Sequence, residues 1–375
     1  MADARYGGYQ AADFELLGGV VDGMDIEDLS QEQLADFLDA RIAARNAAVN
    51  LILGELSMPT TSVGALLGQE SAMPDWSAGT ELSRGARQKT AGLDAVGFPV
   101  TKFGPVRSGW TRDYIAKATN REIVRHMDSV MASHMATNWK EAMKAIFQNT
   151  TWTWTHDMFP EDGALKVKPL LNADGYVSPE WMSNTFDGTE DHYLALGAGT
   201  LDEADLLQMS SELRKHGYGV SAANAGMGGR LELWVNSAQT ADVQAHTNFV
   251  PSNDPIVIDM NKIAVSLDQD TYVGYNSSAR CFIREVEYVP AGYTMMFMTN
   301  SDPGASQAAS RVNGFAPLRR RVPTTAALQG IQRITESQYP LQETFWEDWF
   351  GFGCGMRGTA IVGQLAGSYT VPTIS

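Results

Sequence analysis

No glycine or proline interrupts the stretch from Thr119 to Gln148, and this one feature limits the folds open to the chain. Ile123, Met127, Met131, Met135, Trp139, Met143 and Phe147 recur at every fourth position, and Val130 and Ile146 widen the stripe. Thr119-Asn120-Arg121-Glu122 has the form of a capping box, in which hydroxyl and carboxylate each satisfy a backbone N–H that the first turn leaves open. At about 1.5 Å per residue the helix is roughly 45 Å long. A period of four drifts against 3.6 residues per turn, so the stripe winds around the rod and can meet different partners along its length.

The segment before this helix is its opposite. Residues 57–113 are rich in Gly, Ser, Thr, Pro and Arg and have few contiguous apolar positions. The run ELSRGARQKTAGLDAVGFPVTKFGPVRSGW has material for two thin strands but not for a core. Such a segment is either disordered or supported from outside its own domain. Further upstream, residues 1–29 are rich in Gly and Asp and read as extended. Ser30-Gln31-Glu32-Gln33 is a second capping box, and Leu34, Phe37, Leu38, Ile42, Val49 and Ile52 form a helical stripe that stops at Gly54 and Pro59.

Downstream the pattern is α+β. Residues 150–159 alternate and predict a strand; residues 160–198 are turn-rich. Asp202 to His216 predicts an amphipathic helix with Gly217 past its end. Strands are expected at Leu231–Val235, Pro255–Val265, Cys281–Val289, Thr294–Thr299 and Gly358–Leu365. No internal repeat is visible. With 375 residues, 44% of them hydrophobic, the chain can bury a sizeable core, and two domains are expected.

Charge narrows the function. Ten of the acids, against Arg5 alone, lie in residues 1–40, and the whole chain carries a net −16. A nucleic-acid binder needs a basic face, so that class is disfavoured. A surface that lies near DNA without adhering to it is compatible with this balance. No apolar run is long enough to span a membrane, and the acidic N-terminus lacks a signal pattern, so a cytoplasmic product is expected. Cys281 and Cys354 follow no metal or redox spacing and read as reduced, partly buried thiols.

Catalytic motifs are missing: there is no HExxH, GxSxG, P-loop or Rossmann fingerprint. Gly226-Met227-Gly228-Gly229 follows no strand and reads as a flexible connection. His126 and His134 are eight apart rather than the four that places two zinc ligands on one helix face, so they read as solvent-facing or interface histidines. Asp191-His192 has no neighbouring nucleophile. Glu343, Glu347 and Asp348 could ligate a cation but read better as a solvated or subunit-facing surface. No catalytic, cofactor or metal residues are therefore expected. Arg319-Arg320-Arg321 is the one basic run, and it fits an inter-subunit salt-bridge cluster better than nucleic acid or a local role.

The order of elements now carries weight: a helical arm, a thin loop, an uninterrupted helix, then an α+β body. Val96-Gly97-Phe98-Pro99 and Gly109-Trp110-Thr111, leading into the capped helix, resemble the loop-to-spine passage of siphophage capsid proteins. Phe186 followed by Asp191-His192-Tyr193-Leu194 is similar to an FxxxHxHY-like segment of that family, with one histidine replaced here by Glu190 or Asp191. Lys215-His216-Gly217-Tyr218-Gly219, Val289-Pro290-Ala291-Gly292-Tyr293, Pro317-Leu318-Arg319, Tyr339-Pro340-Leu341, Trp349-Phe350-Gly351-Phe352-Gly353 and Tyr369-Thr370-Val371-Pro372 extend the likeness to the end. From about residue 60 the chain resembles the major capsid proteins of tailed bacteriophages, with the Hong Kong 97-type capsid fold.

The resemblance implies an N-terminal arm (1–59), an extended loop lying over a neighbour (60–113), a peripheral domain (114–202) with its spine helix at 119–148, an axial domain (203–315) and a return to the peripheral domain (316–375). It implies self-assembly into hexamers and pentamers of an icosahedral shell enclosing double-stranded DNA, in a virion assembled in the host cytoplasm. Inter-subunit contacts are expected at Trp76, Arg84, Arg87, Lys89, Phe98, Arg319, Arg320 and Arg321. The implied partners are further copies of the chain, a separate scaffolding protein, a portal and, where the shell needs them, decoration proteins. The N-terminal acids are expected to face the interior. Some relatives join a loop Lys to a neighbour's Asn; the loop here offers Lys89 and Lys102, neither with a nameable partner, so a non-covalent shell is expected. Two other readings stand beside this one: an encapsulin-type compartment enclosing enzyme cargo, and an enzyme with an unrecognised site.

Overall fold

The computed structural model describes residues 31–70, 90–111, 118–155, 163–182, 184–197, 199–220, 230–251, 272–299, 316–338 and 341–374. Among the described residues the α-helices are α1 (Gln31–Ile52), α2 (Asn120–Phe147), α3 (Glu203–Lys215) and α4 (Ser237–Gln244). The first half of the chain supplies strands β1 (Ser57–Thr60), β2 (Gly64–Glu70), β3 (Thr90–Gly97), β4 (Thr101–Thr111), β5 (Trp152–Trp154), β6 (Leu165–Val167) and β7 (Tyr193–Ala195). The second supplies β8 (Arg230–Val235), β9 (Phe249–Pro251), β10 (Tyr272–Asn276), β11 (Cys281–Glu285) and β12 (Tyr293–Thr299). It ends with β13 (Leu318–Arg321), β14 (Gln332–Gln338), β15 (Leu341–Cys354) and β16 (Ala360–Gln364).

The described residues fall into two compact units. The first holds α1, β4, α2 as far as Trp139, and the chain between Val322 and Gly351. Thr119 caps α2 as its sequence predicts: Glu122 N–H lies 3.3 Å from the Thr119 hydroxyl, and the Glu122 carboxylate accepts the Thr119 N–H at 3.1 Å. The helix falls within a residue of the range expected at each end. Leu34, Phe37, Leu38 and Ile42 of α1 share one core with Val124, Met127, Val130 and Met131 of α2 and with Ile331 and Trp346. Arg41 pairs with Asp128 at 2.7 Å beside it. Asn46 exchanges two hydrogen bonds with the backbone of Ile331. β15 pairs antiparallel with β4 on one side and β14 on the other. The β4 register slips where Trp346 gives way to Asp348. There Gly104 takes φ +99°, and a Cβ would lie 2.5 Å from the Trp346 carbonyl oxygen, so only glycine fits.

The second unit is built on a seven-stranded sheet of order β7-β16-β12-β8-β11-β10-β9. β7 runs parallel to β16 and β8 parallel to β11; the other neighbours are antiparallel. Leu231, Leu233 and Val235 of β8 alternate onto one face. They meet Leu206, Met209 and Leu213 of α3, Val243 of α4, Ile283, Met296 and Ile361 in a fully buried cluster. α3 matches the expected helix, and Gly217 ends it at φ +83°, donating its N–H to the Arg214 carbonyl at 2.9 Å. β2 and β3 form an antiparallel pair, as do β5 and β6, and β1 runs parallel to β13.

Several sequence expectations change. The strand expected over 150–159 is three residues, Trp152–Trp154. The strand expected at Pro255–Val265 lies outside the described residues, as do Ser30 and the glycine run at 226–229. α4 and the long β15 were not expected.

Candidate functional site

Two short segments of the second unit meet at β13. Met58, Pro59 and Thr60 pair in parallel with Arg319, Arg320 and Arg321. Leu318 N–H donates to the Leu56 carbonyl at 3.1 Å. Arg321 donates to the Phe98 carbonyl at 3.1 Å, where the loop closes, and Phe98 N–H reaches the Val63 carbonyl at 2.8 Å. Arg319 turns back on the Ala316 and Leu318 carbonyls, and burial lowers its pKa. A Cβ at Gly355 would lie 2.4 Å from the Arg319 side chain, so its stem packs on that backbone. Arg320 and Arg321 are buried, and so is Phe98. Within the chain, the arginine run anchors the base of the loop and the segment leading into the body.

A second set of charges ties the same segment. Glu55, next to Leu56, accepts from Arg284 at 2.6 Å. Arg284 lies over the rings of Trp234 and Tyr272. Glu232, wholly buried on β8, accepts from Arg230, from Tyr272 at 2.6 Å and from the Trp234 indole at 3.1 Å. Burial alone would raise the Glu232 carboxyl, but Arg230 and Arg284, with these hydrogen bonds, hold it below its ordinary value. Burial and the Glu232 charge push the Tyr272 phenol up, which keeps it a neutral donor.

His192 and His216 are tied into the fold by hydrogen bonds and ring contacts. His192 Nδ1 lies 2.7 Å from the Ala360 carbonyl, which can only accept, so Nδ1 carries the proton. Its Nε2 then accepts from His216 Nε2 at 3.3 Å, and His216 stacks on Phe186 at 4.2 Å. Burial drives both pKa values down, to about 4 for His192 and about 3 for His216. The neighbouring Asp191 accepts from Tyr193 N–H.

His126 and His134, expected to face solvent or an interface, each have a partner within the chain. His126 bonds the Ser108 hydroxyl at 2.6 Å, and His134 meets the buried Asp348 at 2.7 Å. The acids of β15 likewise do not form one cation site or one open surface. Glu343 pairs with Arg107, Glu347 with Lys102 at 2.6 Å, and Asp348 with His134. Among the described residues no three His, Cys, Asp or Glu side chains converge as metal ligands. Cys281 and Cys354 are free and fully buried, with thiols pushed up to about 12 by burial. Trp76, Arg84, Arg87 and Lys89 lie outside the described residues.

No protein-family model matches the chain, and no curated protein matches it. Solved structures do. A chain from Mycobacterium phage Patience superposes with a TM-score of 0.64 at 23% identity, covering 92% of this chain and 91% of that one. The capsid of a native GTA particle matches with a TM-score of 0.44 at 11% identity, over 84% and 89% of the two chains. The capsid of Myoviridae phage XM1 matches at 0.41 and 11%, over 84% and 91%. The first likeness runs through nearly the whole of both chains, and this protein has the α+β fold of the Hong Kong 97 type.

Proposed function

We propose that this chain is a major capsid protein, a structural subunit that assembles into hexamers and pentamers of an icosahedral shell around double-stranded DNA. The observation that carries the reading is the near full-length likeness to the phage Patience chain. The anchor at β13 supports it. A hairpin whose base is fastened by Arg321 and Phe98, and whose sequence cannot build its own core, is suited to lie on another copy, where assembly supplies its stability. In this reading the loop 60–113 and the arm 1–59 reach neighbours, α2 is the spine of a peripheral domain, and the seven-stranded sheet belongs to an axial domain. Trp76, Arg84, Arg87 and Lys89 are contact residues of the loop. Phe98, Arg319, Arg320 and Arg321 are the remaining contact residues, and the bond from Arg321 to Phe98 also fixes where the loop starts. The acids of residues 1–40 line the interior and leave packaged DNA mobile. A separate scaffolding protein, a portal and decoration proteins are the further partners, and the role is structural rather than enzymatic.

The test is assembly. Purified protein should elute as capsomers or particles, and electron microscopy of particles from infected host cells should show nuclease-protected duplex DNA inside them. Enzyme cargo in place of DNA would favour the compartment reading. Deleting residues 72–88 should leave a cooperative thermal melt but abolish particles; normal particles from that deletion would refute the role given to the loop.

A further inference from the structure

The turn at residues 181–184 holds an apolar side chain in water on a strained backbone. Trp181 and Asn184 exchange both backbone hydrogen bonds, at 3.2 and 3.0 Å. Met182, inside the turn, takes φ +55°, a left-handed conformation that glycine or asparagine adopts with less strain. Its side chain is 54% exposed, more than any other large apolar side chain among the described residues. The turn is braced from beneath. The Trp181 indole fills the space over Gly217, where a Cβ would come within 2.8 Å of its nitrogen. The Asn184 amide donates to the Lys215 carbonyl at 3.2 Å. Strain of this kind persists where the surrounding structure enforces it, and it clusters at functional sites.

Beside the turn lies an open cleft of about 350 Å3 lined by Asn184, Leu207, Ser210, Ser211, Arg214 and Lys215. Leu207 is itself 41% exposed there. The charges are complementary. Glu180 and the exposed Asp187 flank the turn, whereas Arg214 and Lys215 border the cleft. Lys215 already meets Glu212 at 2.5 Å and Arg214 the Ala279 carbonyl at 2.9 Å, so both cations are held in place along the cleft. We infer that Met182 of one copy seats over Leu207 in the cleft of a second copy, with Glu180 and Asp187 of the first facing Arg214 and Lys215 of the second. Asn184 belongs to both the turn and the cleft, so knob and cleft adjoin on one face, and the contact joins Met182 of one copy to Leu207 of the other. The inference rests on the reading of this chain as a self-assembling subunit.

Met182→Gly separates the knob from the fold. Glycine adopts φ +55° without strain, so the isolated subunit should melt no lower than the unaltered protein. The concentration for half-maximal assembly should rise about tenfold or more, as expected when a central apolar anchor is removed. Independently, chains carrying only Met182→Cys, mixed with chains carrying only Leu207→Cys and oxidised after assembly, should give a mixed disulfide dimer on a non-reducing gel. The native cysteines are buried and do not compete. If the unaltered protein assembles and Met182→Gly assembles at the same concentration, or the mixed dimer does not form, the contact is wrong. A protein that stays monomeric at every concentration overturns the shell reading together with it.

Discussion

Acid should unlock the second unit through His192 and His216. Both imidazoles are buried and neutral, and their protons are already committed: Nδ1–H of His192 to Ala360, Nε2–H of His216 to Nε2 of His192. A further proton on His192 must go to Nε2, and it leaves two N–H groups facing each other at 3.3 Å. Arg357 and Lys215 add unfavourable charge, and Glu212 opposes them only in part. In the unfolded chain each histidine titrates near 6.5. Folded, the values are about 4 and about 3. Below pH 6.5 the unfolded state therefore binds protons that the folded state refuses, and stability falls with pH until the folded values are reached. From pH 7 to 5 the loss is about 2 kcal/mol per histidine and about 4 kcal/mol for the pair, the slope approaching 1.36 kcal/mol per pH unit below pH 6.5. His216→Phe keeps a ring to stack on Phe186 and removes one titrating group. It should be less stable than the unaltered protein at pH 7, because His192 Nε2 loses its donor. On acidification to pH 5 that gap should narrow by about 2 kcal/mol. Denaturant melts of both proteins across this range measure the gap, and titrating carboxylates common to both cancel in it. A gap that stays constant from pH 7 to 5 would refute the reasoning.

Four other outcomes are expected. Glu232→Ala should cost about 3–5 kcal/mol, because Arg230 and the Tyr272 hydroxyl keep their burial and lose their acceptor; chemical denaturation measures it. Trp139→Ala should cost about 3–5 kcal/mol, since the indole is buried on α2, and an unchanged thermal melt would contradict that packing. Tyr193→Phe should cost about 1–3 kcal/mol, as the Leu170 N–H and the Ile146 and Gln148 carbonyls lose a shared hydroxyl. Denaturing gels of mature particles should show a single band near 40.8 kDa, because Lys102 is engaged by Glu347 and lies over Trp349; a ladder would disprove a non-covalent shell.

What could be read from the sequence was local. The Thr119–Glu122 box and the four-residue stripe placed α2, and Asp202 with Gly217 placed α3, because cap and face are written in adjacent residues. β8, β12 and β16 were legible as apolar runs between turn residues. β15 was not. Glu343, Glu347 and Asp348 made it look like open surface, whereas the side chains that pair with them come from β4 and α2, more than two hundred residues away in sequence. The arginine run was harder still. Arg321 donates to the Phe98 carbonyl and Arg319 to those of Ala316 and Leu318, and a carbonyl has no letter in a sequence. α4 has only Val243 and Gln239 buried, too little for a visible stripe, although Asn236 caps it by accepting the Ala238 N–H.

The two ends of α2 show the same division in one element. Its first turn is satisfied by Thr119 and Glu122, residues of its own neighbourhood. Its last turn has no glycine to reverse the chain, and its carbonyls are met from afar. The Tyr193 hydroxyl lies 3.1 Å from the Ile146 oxygen and 2.6 Å from that of Gln148, and the Tyr369 hydroxyl donates to Phe147 at 2.7 Å. Tyr293 stands edge-on to Phe147 and donates to the Thr370 carbonyl at 2.8 Å, fastening the C-terminal segment that carries Tyr369. Carbonyls at a helix end need partners wherever water is excluded. Here β7, β12 and the last residues of the chain provide them together, so the end of α2 is secured by the tertiary fold and not by its own sequence.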